Sequence, residues 1–272
     1  MTSINTNAGA LNARASAVSA TSRMEKAMER LSSGMRVNSA ADDAAGLAVA
    51  GKMESQLRGI NMSIRNAQDG MGLIGTAEAG LNEIRNMVLR IRELAVQMAN
   101  GIYEDTPDRA NAQLEVTALI DQVTLIAENT RFNDIAVLDG SFTGVTIQAG
   151  NTTSETITLS FIDVASSGLS INAATVATQS DATVAMGTMD TALQTIASEQ
   201  AKFGSLINRL NFSVANQSKA SVMTEQAIGR VMDADFAKET TNLSKQQILN
   251  QAATSMLAQA NQSKQSILAL LQ

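Results

Sequence analysis

The stretch Leu57-Arg58-Gly59-Ile60-Asn61-Met62-Ser63-Ile64-Arg65-Asn66-Ala67-Gln68-Asp69-Gly70-Met71-Gly72-Leu73-Ile74 decides the fold. Its apolar positions Leu57, Ile60, Ile64, Ala67, Met71 and Ile74 alternate spacings of three and four residues. That period describes a narrow seam buried against another helix, not the broad face of a globular one. Ala77 and Leu81 shift the phase once, and Ile84, Val88, Ile91, Ala95 and Met98 resume it. A single helix over 45–99 is predicted, running on the order of 80 Å at 1.5 Å per residue. Ordinary helices are several times shorter, so this element points to a rod.

Downstream, Asn100-Gly101 reads as a helix C-cap and Thr106-Pro107-Asp108 as a helix start. Ala112, Val116, Leu119, Val123 and Ile126 then share one helical face, which ends near Asn129. Residues 131–183 turn to Thr, Ser, Gly and Asn, with β-type alternation at Val145-Thr146-Ile147 and Thr156-Ile157-Thr158-Leu159-Ser160-Phe161. With Ala149 to Glu155 as the turn, this predicts a hairpin or small sheet. From about 184 to 228 the seam returns at Leu193, Ile196, Gln200, Phe203, Ile207, Leu210 and Val214. It weakens over Gly229 to Asp235.

The two ends mirror one another. A stripe of Ala8, Leu11, Ala15, Val18, Met24, Met28 and Leu31 covers 8–31, followed by a small, polar break at 32–43. The last helix carries Leu249, Ala253, Met256, Ala260, Ser263, Ile267 and Leu270. The predicted fold is mainly α: long antiparallel coiled-coil-like helices forming a rod, a small β-hairpin or sheet in the middle, and paired terminal helices. The predicted domains are 1–43 with 230–272, 44–140 with 184–229, and a short β, surface-exposed region at 141–183.

Composition removes most chemistry. The 272 residues contain no His and no Cys. Imidazole bases, thiol nucleophiles, disulfides and Cys/His zinc sites are therefore excluded. A net charge of −6 argues against nucleic-acid binding. Aromatics are 3% and Met numbers 14, a mixture suited to thin helical seams. No apolar run is long enough to span a membrane. The start, Met1-Thr2-Ser3-Ile4-Asn5-Thr6-Asn7, has neither the basic nor the apolar segment of a cleavable signal peptide.

Two motifs invite sharper readings. Gly70-Met71-Gly72-Leu73-Ile74-Gly75 spells a dinucleotide-binding fingerprint. It lies inside a seam and not after a strand, so close helix approach is the better reading. Asp42-Asp43 reads as a cap for the following helix, not a metal or acid/base pair. No catalytic, cofactor-binding or metal-ligating residue emerges. A seam left uncovered on a terminal helix is a liability in a monomer, and head-to-tail contacts that do not close give an open filament. Leu11, Val18, Leu31, Leu249, Met256, Ile267 and Leu270 are the expected assembly seam. Ala-rich end helices are marginal alone, so they are expected to order on assembly.

Several stretches resemble bacterial flagellins. These are Arg30-Leu31-Ser32-Ser33-Gly34-Met35-Arg36-Val37-Asn38-Ser39-Ala40-Ala41-Asp42-Asp43, Arg90-Ile91-Arg92-Glu93-Leu94-Ala95-Val96-Gln97-Met98, Thr130-Arg131-Phe132-Asn133, Gly204-Ser205-Leu206-Ile207-Asn208-Arg209-Leu210 and Met256-Leu257-Ala258-Gln259-Ala260-Asn261-Gln262. The resemblance implies a short flagellin that polymerises with its own copies into a swimming filament, its end segments lining an inner tube and its long helices an outer one. It implies export without a cleavable signal to the bacterial exterior. The implied partners are other flagellin copies, cap and hook-associated proteins, an export chaperone at the C-terminal segment, and the flagellin-sensing Toll-like receptor. Neither nucleic acid nor membrane is implied. The receptor-contacting pattern falls on Arg90, Leu94 and Glu115. A hook–filament junction protein of the same architecture is the alternative.

Overall fold

A computed structural model of the chain describes residues 6–269, and side chains as far as 266. The helices are α1 (Ala8–Ser33), α2 (Ala44–Met98), α3 (Ala110–Asn129), α4 (Gln179–Met232) and α5 (Phe236–Ala269). Between α3 and α4 lie β1 (Arg131–Phe132), β2 (Ile135–Ala136), β3 (Val145–Gln148) and β4 (Thr156–Leu159). The chain divides into two compact units, Met1–Leu57 with Val222–Gln272 and Arg58–Ser221. Among the described residues no helix is long and apolar enough to cross a membrane.

In the second unit, α2 and α4 run antiparallel. Arg92 pairs with Asp190, Gln200 donates to Asn82, and Ser221 donates to Asn61. The seam read from sequence is the core: Ile74, Ala77, Leu81, Ile84, Val88, Ile91 and Ala95 are all fully buried. From α4, Ile196, Phe203 and Leu210 meet them, and from α3, Val116 and Val123. Side chains that recur every three to four residues on each helix interlock along the seam.

β3 and β4 form an antiparallel hairpin, with Val145 opposite Leu159 and Gln148 opposite Thr156. Residues 149–155 connect them, where the turn was expected. Ile157 and Leu159 alternate inward while Thr156 and Thr158 stay exposed. The stretch 141–183 was expected to face outward, but it also supplies core. Phe142 stacks on Phe161, which meets Phe203 of α4 edge-on, with ring centroids 4.8 and 4.7 Å apart. Val164, Ile171 and Val176 are fully buried as well. α4 begins at Gln179, five residues earlier than the seam suggested, with Thr178 capping it through its hydroxyl to the amide of Asp181.

Three local expectations need correction. Asn100-Gly101 is no left-handed cap; Gly101 is not among the positive-φ glycines. The end of α2 is instead held by the guanidinium of Arg109, which donates to the carbonyls of Met98, Asn100 and Tyr103. Thr106-Pro107-Asp108 forms a wide turn with Thr106 extended, and α3 starts only at Ala110. In the glycine motif, a Cβ on Gly70 would stand 3.3 Å from Ile147, a strand residue, while Gly75 faces open space. Only the first glycine serves close approach, and to the hairpin rather than to a helix. β1 and β2, unread in the sequence, join through Asn133 and Asp134, both at positive φ.

Candidate assembly surface

The terminal helices pair within the first unit. Asn7 donates to the carbonyl of Ala260 at 3.1 Å, Asn250 to Thr21 at 2.6 Å, and Arg30 to Glu239 at 3.2 Å. Rising numbers on α1 meet falling numbers on α5, so the pair is antiparallel. The buried face of α1 is a strict seven-residue repeat of Ala13, Ala20 and Ala27. The buried face of α5 repeats likewise as Glu239, Gln246 and Ala253. The alanines on α1 make room there for the longer Glu239 and Gln246 of α5.

On α1 the apolar stripe read from sequence is a different face; on α5 it runs through the buried Ala253, with Leu249 and Met256 exposed beside it. Leu11 is 56% exposed, Val18 63%, Leu249 44% and Met256 63%. Leu31 is half-buried. Leu270 and the side chain of Ile267 lie outside the described residues. The inner repeat stands in the sequence as Ala at every seventh position, beside the larger apolar residues of the outer stripe.

The two breaks meet each other. α1 stops at Gly34, whose φ of 72° is the left-handed geometry that glycine tolerates at a helix end. Met35 lies opposite Asp233 in an antiparallel bridge. The Arg36 amide donates to Met232 at 2.6 Å, and the Ala234 amide to Gly34 at 2.9 Å. The Arg36 guanidinium adds a bond to Val231 at 2.6 Å. The acidic pair divides its labour. Asp43 accepts from the Gly46 amide at 2.8 Å and caps α2, as expected. Asp42 does not cap; it accepts from the amides of Asn38 and Ser39 and the hydroxyl of Ser39, and pairs with Lys26 at 2.6 Å. The Lys26 ammonium above all, with those hydrogen bonds, holds the Asp42 carboxyl well below the usual carboxylate range.

In the second unit, Arg90 and Glu115 are brought together. Arg90 Nε donates to Glu115 at 2.9 Å and a second nitrogen donates to Glu93 at 3.3 Å. Glu115 first, then Glu93, raises the Arg90 guanidinium further above its usual value. Leu94 does not join them on the surface: it is 4% exposed and belongs to the core.

Paired terminal helices, long seamed helices and a small hairpin define a helical structural protein. Residues 4–143 match the family model for the bacterial flagellin N-terminal helical region, and 186–271 that for the C-terminal helical region. The chain is 37% identical to a flagellin of Halalkalibacterium halodurans over 98% of this chain and 99% of that one. It is 40% identical to a flagellar filament 31.3 kDa core protein of Treponema maltophilum, over 91% of this chain and 92% of the relative. Among solved structures it resembles a Bacillus cereus flagellin, with a TM-score of 0.51, 34% identity, and coverage of 56% of this chain and 88% of that one. A Vibrio parahaemolyticus protein described as hook-associated shares the fold at 12% identity, with a TM-score of 0.59, over 71% of this chain and all of that one. The chain belongs to the bacterial flagellin family, which supplies the structural subunits of flagellar filaments and not enzymes.

Proposed function

We propose that this chain polymerises with its own copies, through the outer stripes of α1 and α5, into an extracellular filament that drives swimming. The observation that carries this is a second, exposed apolar face on α1, continued on α5 by Leu249 and Met256 beside the buried Ala253. The alanine repeat is spent on the partner helix of the same chain, while Leu11, Val18, Leu249 and Met256 remain exposed. Apolar side chains at a seven-residue spacing on two neighbouring helices form a continuous surface that another copy can cover. In this reading 1–43 and 230–272 form an inner tube, 44–140 and 184–229 an outer one, and 141–183 closes the outer unit. Hook-associated and cap proteins bind the same kind of ends, and a chaperone covers the C-terminal segment before assembly. Near-full-length identity to filament proteins supports a filament subunit over a hook–filament junction protein.

Electron microscopy of purified monomer tests this. The full chain is expected to form filaments, and chains lacking 1–33 or 236–272 to stay in solution. Normal filaments from either trimmed chain would overturn the proposal.

A second reading rests on the exposed Arg90–Glu115 pair. Its planar guanidinium is oriented by two carboxylates and suits recognition by a Toll-like receptor, with Leu94 supporting the site from beneath. In a cell reporter assay, monomer is expected to signal and Arg90→Ala to lose at least part of that signal. Silence from the unmodified chain would sink this reading.

A further inference from the structure

A polar cavity of about 220 Å³ lies between α1 and α5, lined by Arg23, Lys26, Arg30, Glu239, Asn242 and Gln246. Its charges do not balance. Lys26 is paired with Asp42, and Arg30 with Glu239 and Asp42. Glu239 is filled on its other oxygen by Asn242. Arg23 has no ion pair among the described residues. Three cations therefore face two carboxylates, and the surplus charge is Arg23.

One buried donor lacks a partner: Arg30 Nε has no acceptor among the described residues. The Gln246 amide, on the cavity wall, makes no hydrogen bond among them. A buried donor left unsatisfied is costly, and with a free amide and a surplus guanidinium beside it, it fits an oxyanion. A carboxylate supplies two acceptor oxygens for that set.

The same helix offers such a carboxylate. Glu25 and Glu29 are exposed and have no ion pair among the described residues. They stand two positions to either side of buried Ala27, so Glu25 lies on the far side of α1 from the cavity and Glu29 on its flank. We propose that the cavity is an oxyanion site filled, in the polymer, by Glu25 or Glu29 of a second copy. This rests on the polymerisation proposed above. Socket and plug lie on different faces of one helix, so the contact is heterologous and repeats from copy to copy rather than pairing two copies face to face.

The test measures the critical concentration for polymerisation of the full chain. Arg23→Gln removes a side chain with no partner in its own chain, so the circular dichroism melt of the monomer should not change. Its critical concentration is expected to rise about tenfold. Glu25→Gln combined with Glu29→Gln should give the same rise, and all three changes together no more than either set alone. Unchanged or strictly additive values would overturn the inference while leaving polymerisation intact. An unmodified chain that formed no filament would instead remove the reading beneath it. Inorganic phosphate at constant ionic strength distinguishes the source of the oxyanion. If phosphate raises the melting temperature of the unmodified monomer but not of Arg23→Gln, and the glutamate variants polymerise normally, the site takes a free anion and the second-copy carboxylate is wrong.

Discussion

The Nε of Arg109 donates to the carbonyl of Met98 at 2.8 Å, across eleven residues of chain. One buried guanidinium thereby ends a helix of 55 residues and shapes the turn into the next. Its other nitrogens reach Tyr103, Asn100 and Asp105. Arg109→Leu strands the carbonyls of Met98 and Tyr103 and leaves that of Asn100 only the Tyr103 amide, and Arg109→Lys has no planar fork to serve them. Either change should destabilise the second unit by roughly 2–4 kcal/mol, read from denaturant unfolding.

Two glycines of α2 should respond in opposite directions. A Cβ on Gly80 would stand 2.8 Å from Thr130 Oγ1 and 2.9 Å from a Leu138 methyl. Leu138 is fully buried and the Thr130 hydroxyl is bonded to Ile126, so neither yields easily. Gly80→Ala should cost about 1–3 kcal/mol. Gly75 meets nothing, and Gly75→Ala should stabilise by up to about 1 kcal/mol through helix propensity. Thermal melts of the two variants give the comparison.

Acid should loosen the first unit through Asp42. Its folded-state carboxyl titrates below the ordinary value of 3.8, so its contribution is complete above that value. It is lost as pH falls through that value toward the depressed one. Asp42→Asn should lower stability at pH 7 and narrow the difference between pH 7 and pH 3. A variant whose melt falls as steeply as that of the unmodified chain would contradict the assignment.

The two units should differ in local stability. The seam between α1 and α5 is closed by Ala13, Ala20, Ala27 and Ala253 beside Glu239 and Gln246. Each buried methyl contributes only about 1 kcal/mol, against the Ile, Leu, Val and Phe core of the second unit. Hydrogen exchange should find α1 and α5 poorly protected in monomer and protected in filaments. Monomer protection of α1 equal to that of Ile84–Ile91 would contradict this.

What the sequence made legible follows from periodicity. The α2 and α4 seams were readable because three-to-four spacing persists over many turns. The β3–β4 hairpin was readable because Ile157 and Leu159 alternate with threonines. Helix ends were not, because Arg109 reaches its carbonyls from a later segment and no local pattern records that. The pairing of the two breaks was hidden for the same reason: Arg36 and Met232 are bonded but far apart in the chain. On α1, apolar size misled. The larger Leu11 and Val18 face outward, and the smaller alanines make the contact within the chain.

A double substitution on the exposed face separates assembly from folding. Val18→Ser and Met256→Ser alter only the outer stripe. The double variant should keep the circular dichroism spectrum and melting temperature of the monomer, yet raise the critical concentration for filament formation by at least about tenfold. Filaments formed at the original concentration would contradict the claim that the outer stripe holds the copies together.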